Sequence, residues 1–94
     1  MNKQPRLGQI IYIADGNFIL KDEVIMKGKT SFAITGSFDT TFQEYYRRPI
    51  EYDDYGVIWF TKLKDAKESI DLDEDEVIMK IDDDYWEVCK KGNK

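Results

Sequence analysis

The sequence contains no histidine and only one cysteine, Cys89. The first absence removes the usual general base and the commonest transition-metal ligand. With a lone cysteine beside it, a zinc site has no ligand set. Cys89 has no intrachain partner, which suits a reducing compartment. Long apolar runs are missing too. The longest are Ile10–Ala14, Val24–Met26 and Val57–Phe60, far short of the roughly 20 residues that cross a bilayer. The N-terminal MNKQPRLGQ lacks the apolar stretch of a signal peptide. These features lead to the expectation of a cytoplasmic protein with no membrane association, and no cofactor is expected.

Excess positive charge is also lacking. The 94 residues carry a net charge of −5, unevenly placed. Residues 1–50 hold seven basic and five acidic side chains; residues 51–94 hold seven basic and fourteen acidic. Phosphate repels an acidic half, so direct nucleic-acid binding is disfavoured and a basic partner surface is favoured.

What is present is a set of short β-rich runs, read as one domain over 1–94. Gly8–Ala14, Phe18–Lys27 and Thr30–Thr35 are separated by Asp15-Gly16-Asn17 and Gly28-Lys29, turn chemistry that predicts a three-stranded antiparallel meander. After a polar connection over Gly36–Gln43, Glu44–Tyr52 reads as a fourth strand, held to an edge or bulge by Pro49. Asp53–Gly56 is a turn and Val57–Thr61 a fifth strand. Leu63, Ala66 and Ile70 then share one face of a short helix over about 62–70, with Thr61 as its N-cap. Val77–Ile81, an Asp-Asp-Asp turn and Tyr85–Cys89 complete a terminal hairpin.

The hexapeptide DEVIMK occurs at Asp22–Lys27 and again at Asp75–Lys80, 53 positions apart. Each copy precedes a polar turn and an aromatic-led strand, but the similarity ends beyond Phe32 and Tyr85. A repeat architecture needs longer self-similarity. Both copies are therefore read as hairpin strands, their Val, Ile and Met as core residues. Their charged ends suit strands near a sheet edge.

Arg47-Arg48, Asp54-Tyr55-Gly56, Phe60-Thr61 and Ala66 stand in an order that resembles small phage and prophage proteins of Gram-positive bacteria. The resemblance covers about residues 8–70. It implies a small SH3-like β-barrel or curled sheet closed by the short helix. The acidic segment 71–94 departs from that pattern and is read as an added C-terminal hairpin.

Four candidate chemistries remain. Asp71, Asp73, Asp75 and Asp82 hold calcium-loop positions 1, 3, 5 and 12, but Glu76 replaces the glycine such a loop needs and the following residues read as a strand. Carboxylate catalysis needs a sheltered cleft, which crowded polar runs do not offer, so an enzyme is disfavoured. Tyr45-Tyr46-Arg47-Arg48 pairs aromatics with arginines that stack bases and contact phosphate, which makes an accessory module binding nucleic acid or peptide the alternative. The leading candidate is the acidic hairpin: Asp71, Asp73, Glu74, Asp75 and Glu76 lead into it and Asp82, Asp83 and Asp84 form its turn. With Glu87 they make nine acids in 17 residues. Like charges packed so closely cost stability, which points to a use. Tyr85 and Trp86 adjoin them and, as neighbours on a strand, point to opposite faces, so at least one is expected at the surface. The expected partner is a basic surface of a host protein, with inhibition of a defence or nucleic-acid-binding enzyme as part of that reading. Exposed edge strands leave room for a homodimer.

Overall fold

A computed structural model describes residues 3–35 and 49–92. Over the described residues the chain is mainly β, a curled antiparallel sheet with one short helix, which fits a small SH3-like β fold. No helix among the described residues is long and apolar enough to cross a membrane.

The meander forms as its turns dictate. Strand β1 (Ile10–Ala14) pairs with β2 (Phe18–Lys27), and β2 with β3 (Ser31–Ile34). Gly16 takes φ +68° in the first turn, where Asp15 donates its amide to the Phe18 carbonyl at 3.0 Å. Asn17 does not share the left-handed conformation; among the described residues only glycines adopt it.

The next two strands are shorter than their sequence patterns. Strand β4 is only Ile50–Glu51, directly after Pro49, and a 3-10 turn follows at Tyr52–Asp54. Residues 44–48 of the expected fourth strand lie outside the described residues. Strand β5 is only Trp59–Phe60. Val57 and Ile58 are taken out of it because both donate amides back to the Asp54 carbonyl, at 3.0 and 2.8 Å. That turn needs Gly56 at φ +87°. A Cβ there would meet no atom within 4 Å, so Gly56→Ala is expected to cost about 1–2 kcal/mol from backbone strain alone, read as a lower urea midpoint with an unchanged slope.

The helix, α1 (Leu63–Glu68), is one residue later at its start than Thr61 capping would require. Lys62 occupies the N-cap position with no side-chain cap hydrogen bond, so Thr61 does not cap it. Its end is closed instead, by the Ser69 hydroxyl donating to the Ala66 carbonyl at 2.7 Å. The expected apolar face is present: Ala66 is buried, with Leu63 and Ile70 half-buried beside it.

Strands β6 (Glu76–Asp82) and β7 (Tyr85–Lys90) form the terminal hairpin. They are not an appendage. Strand β2 is long enough to carry two partners along the edge opposite β1. Its Val24–Lys27 half pairs with β3 and its Phe18–Leu20 half with β7. The sheet forks there, running β4-β3-β2-β1-β5 along one path, with β7 and then β6 on the branch. A bulge between Val24 and Met26 marks the bend in β2.

Each sheet face carries a core. On one, Phe32 stacks on Tyr52 at 5.8 Å and meets the Trp59 edge at 5.1 Å, among Ile11, Ile13, Leu20 and Val24. The Tyr52 hydroxyl donates to the Gly28 carbonyl at 2.8 Å and Trp59 Nε1 to the Glu51 carbonyl at 3.1 Å, so the buried polar tips of these aromatics are satisfied. On the other face α1 covers Ala14, Ile19 and Phe60.

Candidate functional site

Residues 84–87 show why the acidic segment is held rigidly. Leu20 faces Tyr85 and Ile19 faces Trp86 across the β2–β7 ladder. Paired residues share a face, so Tyr85 enters the main core and Trp86 the core beneath α1. Both are buried, at 5% and 6% exposure. The expectation that one of them lies at the surface is corrected. Adjacent side chains do point to opposite faces, but both faces are covered here, one by the main core and the other by the core beneath α1. Neither ring is available to a partner.

The Tyr85 hydroxyl donates to Glu87 Oε2 at 2.6 Å, so Glu87, half-buried, serves the fold. Burial, then this hydrogen bond and the Glu87 charge, push the Tyr85 phenol well above its ordinary value. Because the folded-state value is the higher one, the linked stability is fully present below the ordinary phenol value of about 10 and is lost as pH rises beyond it. Tyr85→Phe is expected to flatten the fall of urea midpoint with pH above about 10, and ultraviolet titration should show a tyrosine that resists ionisation and is absent from the variant.

The acids form two groups, not one continuous face. Asp71, Asp73, Glu74 and Asp75, all exposed, lead into β6, with Glu76 half-buried at its first position. Asp82 and Asp83 are exposed at the hairpin turn, with Asp84 partly covered. Between them runs the extended strand, so Glu76 and Asp82 at its two ends are separated by roughly 20 Å at about 3.3 Å per residue. That separation sets Asp82 far from Asp75, and no cluster of three or more carboxylate or thiol ligands suited to a metal occurs among the described residues.

Local bonds hold each group. Asp73 donates its amide to Glu76 Oε1 at 3.0 Å, and Asp83 donates its amide to Asp82 Oδ1 at 2.6 Å. Lys90 Nζ lies 3.3 Å from Asp75 and 3.7 Å from Glu76, and Lys80 Nζ lies 3.7 Å from Asp83. Hydrogen bonding to Asp75, and its charge, raise the Lys90 ammonium above its ordinary value. These are exposed pairs of small net worth. Among the described residues no ion pair reaches Asp71, Asp73, Glu74, Asp82 or Asp84, so both groups keep most of their negative charge. Tyr45, Tyr46, Arg47 and Arg48 lie outside the described residues.

Two features were not anticipated from sequence. Asp22 is the one buried charged residue among those described, on the main-core side of β2, with Oδ1 accepting the Glu23 amide at 2.7 Å. It lines a shallow cleft of about 190 Å³ at the sheet fork, with Lys21, Glu23 and Asp84, smaller than ordinary ligand pockets. The second is an apolar row on β6: Val77, Met79 and Ile81 are 36%, 50% and 52% exposed. Reading Val, Ile and Met of both DEVIMK copies as core is corrected: Ile25 and Met26 of the first copy are exposed, as are Val77 and Met79 of the second. The odd-numbered spacing of Val77, Met79 and Ile81 along a strand was in the sequence, but the intervening Ile78 hid any alternation with charge.

No family model matches this chain, and neither a curated protein nor a solved structure matches it.

Proposed function

We propose that this is a non-enzymatic, cytoplasmic interaction protein of phage or prophage type that docks its carboxylates on a basic surface of a host protein. Asp71, Asp73, Glu74, Asp75 and Glu76 make one contact group, and Asp82, Asp83 and Asp84 the other. Occupying a basic surface in place of nucleic acid would inhibit a defence or nucleic-acid-binding enzyme. The observation that carries this reading is the pair of mostly exposed carboxylate groups, largely without cationic partners among the described residues and set apart by a strand whose neighbour is anchored in both cores. Preorganised charge of one sign speeds encounter with the opposite sign and excludes like-charged partners. Tyr85 and Trp86 act as the anchor beneath the acids and not as contact residues.

The test is capture from a bacterial lysate, with and without nuclease, using the native chain and a variant with Asp73, Asp75, Asp82, Asp83 and Asp84 changed to Asn. A basic nucleic-acid-handling protein that survives nuclease, is displaced by duplex DNA and is lost with the variant supports the proposal. Capture of nucleic acid itself turns attention to Tyr45–Arg48. A partner set indifferent to the variant leaves the acids as solvated surface.

A further inference from the structure

Strand edges in this sheet are unequal. The path β4-β3-β2-β1-β5 ends in strands of two residues each, too short to template another strand. Strand β6 is seven residues long and, among the described residues, pairs only with β7. An antiparallel neighbour on one side leaves every second residue of β6 with its N–H and C=O turned outward. On one face of this open edge stand Val77 and Met79, opposite Cys89 and Glu87, and then Ile81 at the bulge between Lys80 and Asp82. Acid groups bracket the row at both ends. An edge protected merely for solubility carries charge or a bulge; this one has both, yet keeps three exposed apolar side chains in alternation.

We propose that the open edge of β6 accepts an extended segment of a partner protein, a basic strand in which apolar residues alternate with lysine or arginine. Strand addition supplies main-chain hydrogen bonds, and alternate side chains then read the strip on which they fall. The apolar residues of the segment cover Val77, Met79 and Ile81, while its cations meet Asp73–Glu76 at one end and Asp82–Asp84 at the other. A second copy of this chain is a poor occupant. Antiparallel self-pairing of β6 centred near Met79 sets Glu76 against Asp82 of the other copy at each end, carboxylate against carboxylate. The charges that block self-association therefore select a basic partner. This inference rests on the proposed acidic docking and names the form the partner takes.

Two soluble peptides of the length of β6, both alternating lysine with valine, separate the two ideas. One has an ordinary backbone; the other is N-methylated along one edge, with the same charge. Binding to the intact protein is measured by titration, and amide hydrogen exchange locates it. The expected result is protection of alternate β6 amides by the ordinary peptide, with the N-methylated peptide weaker by about tenfold or more. Equal binding of both peptides, each weakened by the five-fold Asp-to-Asn variant, overturns strand addition while the acidic docking stands. Binding of either peptide that is indifferent to that variant overturns both. No binding of the ordinary peptide, or protection elsewhere, overturns strand addition. A dimer whose β6 amides are already protected places a second copy on the edge and also overturns it.

Discussion

Replacing Trp86 with alanine is expected to destabilise the whole protein by about 3–5 kcal/mol, the range for removing a large buried aromatic. The ring is buried beneath α1 with Ala66, Ile19 and Phe60, and its edge meets Tyr12 at 6.2 Å. A chain of this size has roughly 5–14 kcal/mol in total, so the loss is a large share of its stability. The expected signature in urea is one cooperative transition at a much lower midpoint with the slope retained. Met79→Ala, at a half-exposed position, is the control and should stay within about 0.5 kcal/mol of native. A Trp86→Ala protein that keeps its midpoint, or unfolds in two steps, would show that β6 and β7 are an independent appendage and that the acid groups lack the rigid support argued for them.

The second large effect falls on binding and leaves folding nearly untouched. Changing Asp73, Asp75, Asp82, Asp83 and Asp84 to Asn removes five negative charges. It loses the exposed pairs of Asp75 with Lys90 and Asp83 with Lys80 but relieves repulsion at the turn. Exposed pairs are worth about 0–1 kcal/mol each, so the variant should unfold within about 1 kcal/mol of native. Affinity for a basic partner should drop by roughly two orders of magnitude, taking about 0.5 kcal/mol or slightly more for each lost charge. Added salt should weaken native binding and change that of the variant much less, because screening acts on the charges removed. Equal affinities with equal salt slopes would end the acidic-docking proposal.

The local elements were readable because local chemistry decides them. Asp15-Gly16-Asn17 made the first hairpin, and the spacing of Leu63, Ala66 and Ile70 identified the helix face. Three Asp residues between two apolar runs marked the terminal turn. The strand ends at Trp59–Phe60 were not readable, since the amides of Val57 and Ile58 are claimed by Asp54. Thr61 looked like a cap, but its place in the chain fell before the residue from which the helix starts. The acid residues were visible one by one; their division into two groups required knowing that Glu76–Asp82 stays extended.

The twin hexapeptides show where sequence stops. DEVIMK encodes a strand in both places, because its β-branched Val and Ile favour an extended backbone wherever they stand. In β2 the tertiary structure buries Val24 at 1% exposure and Asp22 at 8%, since Val24 pairs with β3, Asp22 pairs with β1, and the main core lies on their side of the sheet. In β6 the same residues at the same spacing leave Val77 at 36% and Asp75 exposed. Identical local sequence has identical local preference, so the difference comes from which strand lies alongside and what covers each face. Those are long-range pairings that no window of the sequence contains. Sequence determined that there are strands, turns, one amphipathic helix and an acidic tail. Tertiary structure alone decided that Tyr85 and Trp86 are an anchor, that the acids bracket an open edge, and that the apolar row between them faces outward.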